Sequence, residues 1–363
     1  MHRCTTVLLA ALALFLPIAA AAEAATGTAP APALGLHSGK DDSIEQYEAF
    51  GAWLGNRVIY RVVFSDMRTW DGIASPWYIG TTRRWLASDP GRVEVISLPL
   101  LPKTDAGDFA AVAAGRHDRH FRAFATKLAE RGIASRVIVR LGWEGNGDWY
   151  PWAYGRDPDG FRKAFRRAAQ VMRRAAPGLR FEWCVACRAS RKGGPAEWTE
   201  AYPGDDVVDI ISMDVYDEHE PNWKSLVEGE AGLRELRAFA RERGKPEAYP
   251  EWGCSTNRSA RGRGDNPEFI ENMARWFAEG EGRVLYQAYW NTSSGGPNAA
   301  IHGPALSVPN AARAFRRVFG MGDTVDLQSN ILRRPGVVTN LSGHAPVQIP
   351  MHGPLAATSG TEG

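Results

Sequence analysis

Eight short apolar runs, each separated from the next by polar or helix-spaced sequence, constrain this chain more than any other feature. They fall at residues 34–37, 58–64, 93–98, 136–141, 181–186, 208–213, 248–252 and 284–290. Each is apolar throughout rather than alternating, as expected of strands covered on both faces in a parallel sheet. Between them lie segments of helical period. Ser43 with Gln46 three residues on reads as a capping box, and Ile44, Tyr47, Phe50 and Leu54 then share one face. Asp118 caps a second helix through Phe121, Phe124 and Leu128. A third runs through Phe161, Phe165, Ala168 and Met172 and stops at Pro177-Gly178; Asn266-Pro267 opens a later one. The segments after strands two and five carry the weakest helix pattern. Eight strands with interleaved helices predict an α/β fold, a (β/α)8 TIM barrel forming a single catalytic domain over 34–320.

Such a barrel places its chemistry at the C-terminal ends of its strands. Strand four ends RLGWEGNGDWYPW, so Glu144 stands just past a buried strand among Trp143, Trp149 and Trp152. An apolar, aromatic setting favours the protonated carboxyl, which is what a general acid needs near neutrality. Strand seven ends YPEWG and brings a second carboxylate, Glu251, to the same rim. Two rim carboxylates from different strands fit glycoside hydrolysis. The chain has 13 Trp, and indole faces stack well on apolar ligand faces. Trp149, Tyr150 and Trp152 are therefore either rim packing or sugar platforms, and Trp290 at the end of strand eight is either core or platform.

These stretches together resemble glycoside hydrolase family 26. RLGWEGNGDWYPW is similar to its strand-four signature, PEWG to its strand-seven Glu-aromatic-Gly, and YPGDDVVDIISMDVYD to its strand-six segment. The resemblance runs over about residues 34 to 320. It implies a (β/α)8 fold with Glu144 as acid/base, Glu251 as nucleophile and retention of configuration. It implies that Tyr216 hydrogen-bonds the nucleophile and that Trp290 stands where the family carries an aromatic sugar platform; Trp143, Asn146, Trp149, Trp152 and His37 are the further candidate sugar contacts. The chemistry requires no cofactor and no metal. Two positions depart from the pattern: Trp143 stands where His is common, and Gly145 where a larger residue is frequent. The expected activity is an exported, endo-acting hydrolase of a β-linked polysaccharide. The alternative is a catalytically silent barrel that binds polysaccharide during exopolysaccharide handling.

Other features narrow the setting. Lys+Arg 43 against Asp+Glu 41 leaves a net charge of +2, without the basic excess of a nucleic-acid binder. The sequence also lacks both glycine-rich nucleotide fingerprints. Residues 1–24 read as a signal peptide, 25–33 as a linker and 321–363 as a tail without periodicity. No later run has the length of a membrane span, so the expected form is a secreted or periplasmic monomer acting on polysaccharide or oligosaccharide. Cys184 and Cys187 have C-x-x-C spacing inside an apolar run, which favours buried cysteines over a redox pair; Cys187 with Cys254 is the disulfide to test. His117 and His120 read as a solvated helix face, as does the basic set Arg162, Arg166, Arg167, Arg173 and Arg174. Asp205, Asp206 and Asp209 read as a turn and strand entrance.

Overall fold

A computed structural model describes residues 31–39, 43–188, 197–219, 222–293 and 296–320. The expected signal peptide and tail, and Cys4, lie outside these residues, as does most of the expected linker. Eight parallel strands close into a barrel in sequence order, β1 pairing with both β2 and β8. The strands are β1 Ala33–His37, β2 Tyr60–Phe64, β3 Val93–Leu98, β4 Val137–Leu141, β5 Arg180–Ala186, β6 Ile210–Asp217, β7 Glu247–Cys254 and β8 Val284–Trp290. The expected linker ends one residue late, because Ala33 already pairs with Tyr286. Strand β6 continues four residues past the apolar run that announced it, because its last turn inward carries polar side chains.

The helices are α1 Ile44–Leu54, α2 Trp70–Ala74, α3 Ile79–Ser88, α4 Phe109–Ala113, α5 Asp118–Glu130, α6 Pro158–Ala175, α7 Trp223–Glu228, α8 Leu233–Glu242, α9 Pro267–Ala278 and α10 Pro309–Phe319. Between β5 and β6 the described residues hold a 3-10 turn, Trp198–Ala201, and no α-helix. The helical faces are as spaced in the sequence: α6 buries Phe161, Phe165, Ala168 and Met172. A large apolar shell lies between strands and helices. A smaller plug, including Tyr60, Val62, Val95, Ile138 and Tyr286, fills the barrel itself. Closure between first and last strand depends on Gly35, whose Cβ would come within 2.8 Å of the Ala288 Cβ. No described helix is long and apolar enough to cross a membrane.

Several local expectations fail for identifiable reasons. Ser43 sits at the N-cap of α1 but makes no side-chain capping bond. Asp118 is the first residue of α5 rather than its cap, and its carboxylate accepts from Arg167 at 2.6 and 2.9 Å. His120 is buried and His117 half-buried, so the pair is not a solvated face. Both stack on Trp70, at 3.9 and 5.3 Å between ring centroids, and burial lowers both imidazole pKa values. Most of the basic set on α6 is likewise not a free face: Arg162, Arg166, Arg167 and Arg173 pair with Asp159, Asp206, Asp118 and Asp209. The strand-entrance aspartates thus neutralise the helix opposite them.

Candidate active site

The chain leaves β4 through a tight turn. Gly142 and Glu144 both adopt positive φ, 55° and 51°, a conformation that costs a non-glycine residue on the order of 1–3 kcal/mol. The turn is pinned to β5. The Glu144 N–H donates to the Cys184 carbonyl at 2.9 Å, and the Asn146 amide exchanges two 2.8 Å bonds with the Ala186 backbone. Gly145 is required by space, since a Cβ there would lie 2.7 Å from the Tyr154 ring. That accounts for one of the two departures from the strand-four pattern.

Three expected sugar contacts are corrected by this arrangement. Asn146 is buried and its amide is occupied by strand backbone, so it fastens the loop rather than facing a ligand. Trp143 and Trp152 are fully buried, with the Trp152 indole donating to the Trp143 carbonyl at 2.7 Å. Tyr150 stacks on Trp152 at 4.7 Å, completing an aromatic support beneath the loop. Trp149 is different: it is 45% exposed, and its Nε1 donates to Glu144 Oε2 at 2.9 Å. Of the aromatic residues on this loop, it is the one that sits on Glu144 itself.

Glu251 arrives by another route. Between Ser212↔Ala248 and Val215↔Trp252, β6 advances three residues while β7 advances four. Between Tyr249↔Gln287 and Trp252↔Tyr289, β7 advances three while β8 advances two. Strand β7 thus holds one extra residue against both neighbours, at Pro250-Glu251. Proline cannot donate to a ladder and is confined to such irregularities inside a sheet. The bulge reverses the strand's phase. Tyr249 faces the helices, bonding Trp276 at 2.6 Å. Two residues on, Glu251 faces into the barrel, and Trp252 takes the outward place against Phe277 and Phe315.

Inside, Arg140 ties the site together. It is fully buried on β4 yet reaches β6 and β7 across the lumen. Nη1 donates to Asp214 at 2.9 and 3.2 Å, and Nη2 donates to Glu251 Oε1. The Tyr216 hydroxyl donates to the other oxygen, Glu251 Oε2, at 2.8 Å. Burial alone would favour a neutral guanidine, but Asp214 and Glu251 hold Arg140 charged. Burial also raises Asp214 against the pull of Arg140. Glu144 is pushed up to about 7, first by burial and then by the charge of Glu251, with the Trp149 bond pulling the other way. One guanidinium faces three carboxyl groups here, so a proton remains among them near neutrality.

The remaining wall is aromatic. Trp290 is half-buried, stacked on His37 at 4.2 Å and edge-on to Tyr216 at 6.1 Å. The His37 ring is oriented by Nδ1, which donates to the Val62 carbonyl at 2.9 Å. Trp290 therefore stands beside the tyrosine that bonds Glu251. Cys184, Cys187 and Cys254 are all free thiols, so the suggested Cys187–Cys254 bridge is absent. Burial pushes the Cys184 thiol up, the opposite of a reactive redox cysteine. Arg140 and Asp214 belong to the site although the sequence singled out neither for a role. The available signal was a charged residue inside an otherwise apolar strand.

Comparison with known proteins agrees with this architecture. A model described as glycosyl hydrolase family 26 matches residues 119–238, a span holding Arg140, Glu144, Asp214 and Tyr216 but not Glu251. The chain is 24% identical over 220 residues to Endoglucanase H of Acetivibrio thermocellus, covering 56% of this chain and 22% of that protein. It is 25% identical over 175 residues to a mannan endo-1,4-β-mannosidase of Bifidobacterium adolescentis, covering 46% of this chain and 18% of that protein. It thus spans about a fifth of the length of these curated relatives. Among solved structures, a modular endo-β-1,4-mannanase from Cellulomonas fimi has 18% identity and a TM-score of 0.57, over 78% of this chain and 70% of that one. The YdhT protein from Bacillus subtilis has 16% identity and a TM-score of 0.56, over 79% and 85%. The family match over residues 119–238, about a third of the chain, and the closed eight-stranded barrel together make this chain similar to glycosyl hydrolase family 26.

Proposed function

We propose that this protein is an exported, retaining, endo-acting glycoside hydrolase of a β-linked polysaccharide, with Glu251 as nucleophile and Glu144 as acid/base. The observation that carries the reading is the contrast between two carboxyls at one rim. Glu144 is desolvated and raised toward neutrality, while Glu251 is gripped on both oxygens by Arg140 and Tyr216. In the first step Glu251 forms a bond to the sugar carbon as the glycosidic bond breaks, and the Glu144 proton passes to the leaving oxygen. In the second step Glu144 takes a proton from water, whose oxygen displaces Glu251 and releases the sugar with its configuration retained. Tyr216 and Arg140 hold Glu251 in line, and Trp290 supplies an apolar face beside it. The expected leader supports export. The relatives named above, an endoglucanase and mannanases, favour a β-linked glucan or mannan backbone.

The test is release of reducing ends from a panel of β-mannan, β-glucan and xylan, with the anomer of the first product followed by NMR. Turnover with a β-anomer formed first supports the reading. A protein that binds these glycans, cleaves none, and binds equally well as Glu251→Gln would be the silent barrel instead.

A further inference from the structure

The rim of the barrel carries a second cationic group, and unlike the one on α6 it is only partly neutralised. The loop from β7 to α9 places Arg258, Arg261 and Arg263 within six residues of sequence. Arg263 reaches Asp217 at 3.3 Å. Arg258 and Arg261 are exposed, and among the described residues neither has a carboxylate at ion-pair distance. The loop is nonetheless ordered by its own backbone. Gly262 N–H donates to the Asn257 carbonyl at 2.8 Å, and Gly264 N–H to the Ser255 carbonyl at 2.7 Å. His219 N–H, from the loop after β6, donates to the Ala260 carbonyl at 2.9 Å. Arg261 holds positive φ, 54°. Positive charge is therefore presented on a folded turn rather than on a free strap.

Beside this turn is a cavity of about 160 Å³ between the loops after β6 and β7. Asn222, Trp223, Lys224, Arg263, Asn266 and Phe269 line it, with Glu268 the acid on its wall. Trp223 packs edge-on against Phe269, 6.2 Å between centroids, giving the cavity an aromatic side. Lys224 is 80% exposed and 3.6 Å from Glu228. The cavity is joined to the catalytic residues through one aspartate. Asp217 is held by Arg263 and by Asn266 at 2.7 Å, and it follows Tyr216, which bonds Glu251. An aromatic wall beside a turn that presents Arg258 and Arg261 to solvent matches a sugar ring that carries a carboxylate.

We propose that this rim is a subsite for a carboxylated sugar, so that the substrate is an acidic β-glycan bearing uronic acid or pyruvate-ketal residues rather than a neutral mannan. The proposal rests on the hydrolase reading for the word substrate, and its test separates the two. Binding is measured on the intact chain carrying Glu251→Gln, so that no turnover intervenes. The probes are xanthan, gellan and glucuronoxylan, each paired with its carboxyl-reduced form. The expected result is at least one carboxylated glycan bound about tenfold or more tightly than its reduced twin, the size of a charge-assisted hydrogen bond. That preference should shrink with added salt, because exposed charges are screened within about 10 Å at 0.1 M. The double substitution Arg258→Gln with Arg261→Gln should abolish the preference while leaving the melting temperature unchanged. Equal binding of every pair, no binding of any, or a preference untouched by the double substitution overturns the subsite. Cleavage of neutral mannan with no carboxylate preference would leave the hydrolase reading standing and this one refuted. Selective binding of acidic glycans without cleavage of any would do the reverse.

Discussion

Strands β4 and β7 deliver the same functional group to the same rim by opposite means. Glu144 lies beyond the end of β4, in a left-handed turn pinned to its neighbour strand and supported by buried tryptophans. Glu251 lies within β7 and is aimed inward by a one-residue bulge at a proline. The first carboxyl is met mainly by loss of water, and its proton is held to about pH 7. The second is met by a guanidinium and a hydroxyl. Two chemically identical side chains thereby meet different surroundings, which in the proposed mechanism suit them to different tasks.

That comparison can be broken from the Glu251 side first. Glu251→Gln removes the attacking oxygen while leaving a side chain of the same shape for Tyr216. We expect turnover to fall by about 10⁴-fold or more, as when a covalent nucleophile is deleted. A loss below tenfold in steady-state kinetics would mean that Glu251 is not the nucleophile.

Glu144→Ala comes next. A general acid contributes about 10²–10⁴-fold, and the loss should be smallest on aryl glycosides whose leaving group needs little protonation. Equal losses on activated and unactivated substrates would remove Glu144 from that role.

The contrast in surroundings also sets the pH dependence. Glu144 must carry its proton when substrate binds, so kcat/KM should decline as pH rises through about 7. The same shift acts on stability. The folded chain holds this proton up to about 7 while an unfolded one releases it near 4.5. Stability contributed by the group is complete below the lower value and is lost as pH rises through the upper one. Glu144→Gln should therefore gain in melting temperature relative to the parent across that window. A constant difference between the two proteins from pH 4.5 to 7 would show that the carboxyl is not raised.

The smallest effect expected concerns Trp149. Its indole donor favours the ionised form of Glu144. Trp149→Phe removes that donor, so the alkaline limb of kcat/KM should move upward by a fraction of a pH unit. A downward shift in the pH profile would contradict the assigned bond.

Much of this was readable from the chain, and the misses have a common cause. The alternation of eight apolar runs with helical stretches determined the barrel, because a strand covered on both faces has no other apolar pattern. A carboxylate just past strand four and another beside Pro250 in strand seven were visible for the same reason, as charge where the run predicts none. What sequence could not decide was direction and partnership. Trp143, Trp149 and Trp152 look alike within ten residues of sequence; only the path of the β4 turn buried two of them and set the third on Glu144. Asn146 became a backbone clamp because the turn lies against β5. His117 and His120 are partly or wholly covered by stacking on Trp70, 47 residues away from the first of them. Arg140 and Asp214 are separated by 74 positions and meet only because β4 and β6 face each other across a closed lumen. Periodicity is a property of neighbouring residues and survives in the sequence, whereas burial, ion pairing and a shifted proton depend on groups that only the closed barrel brings together.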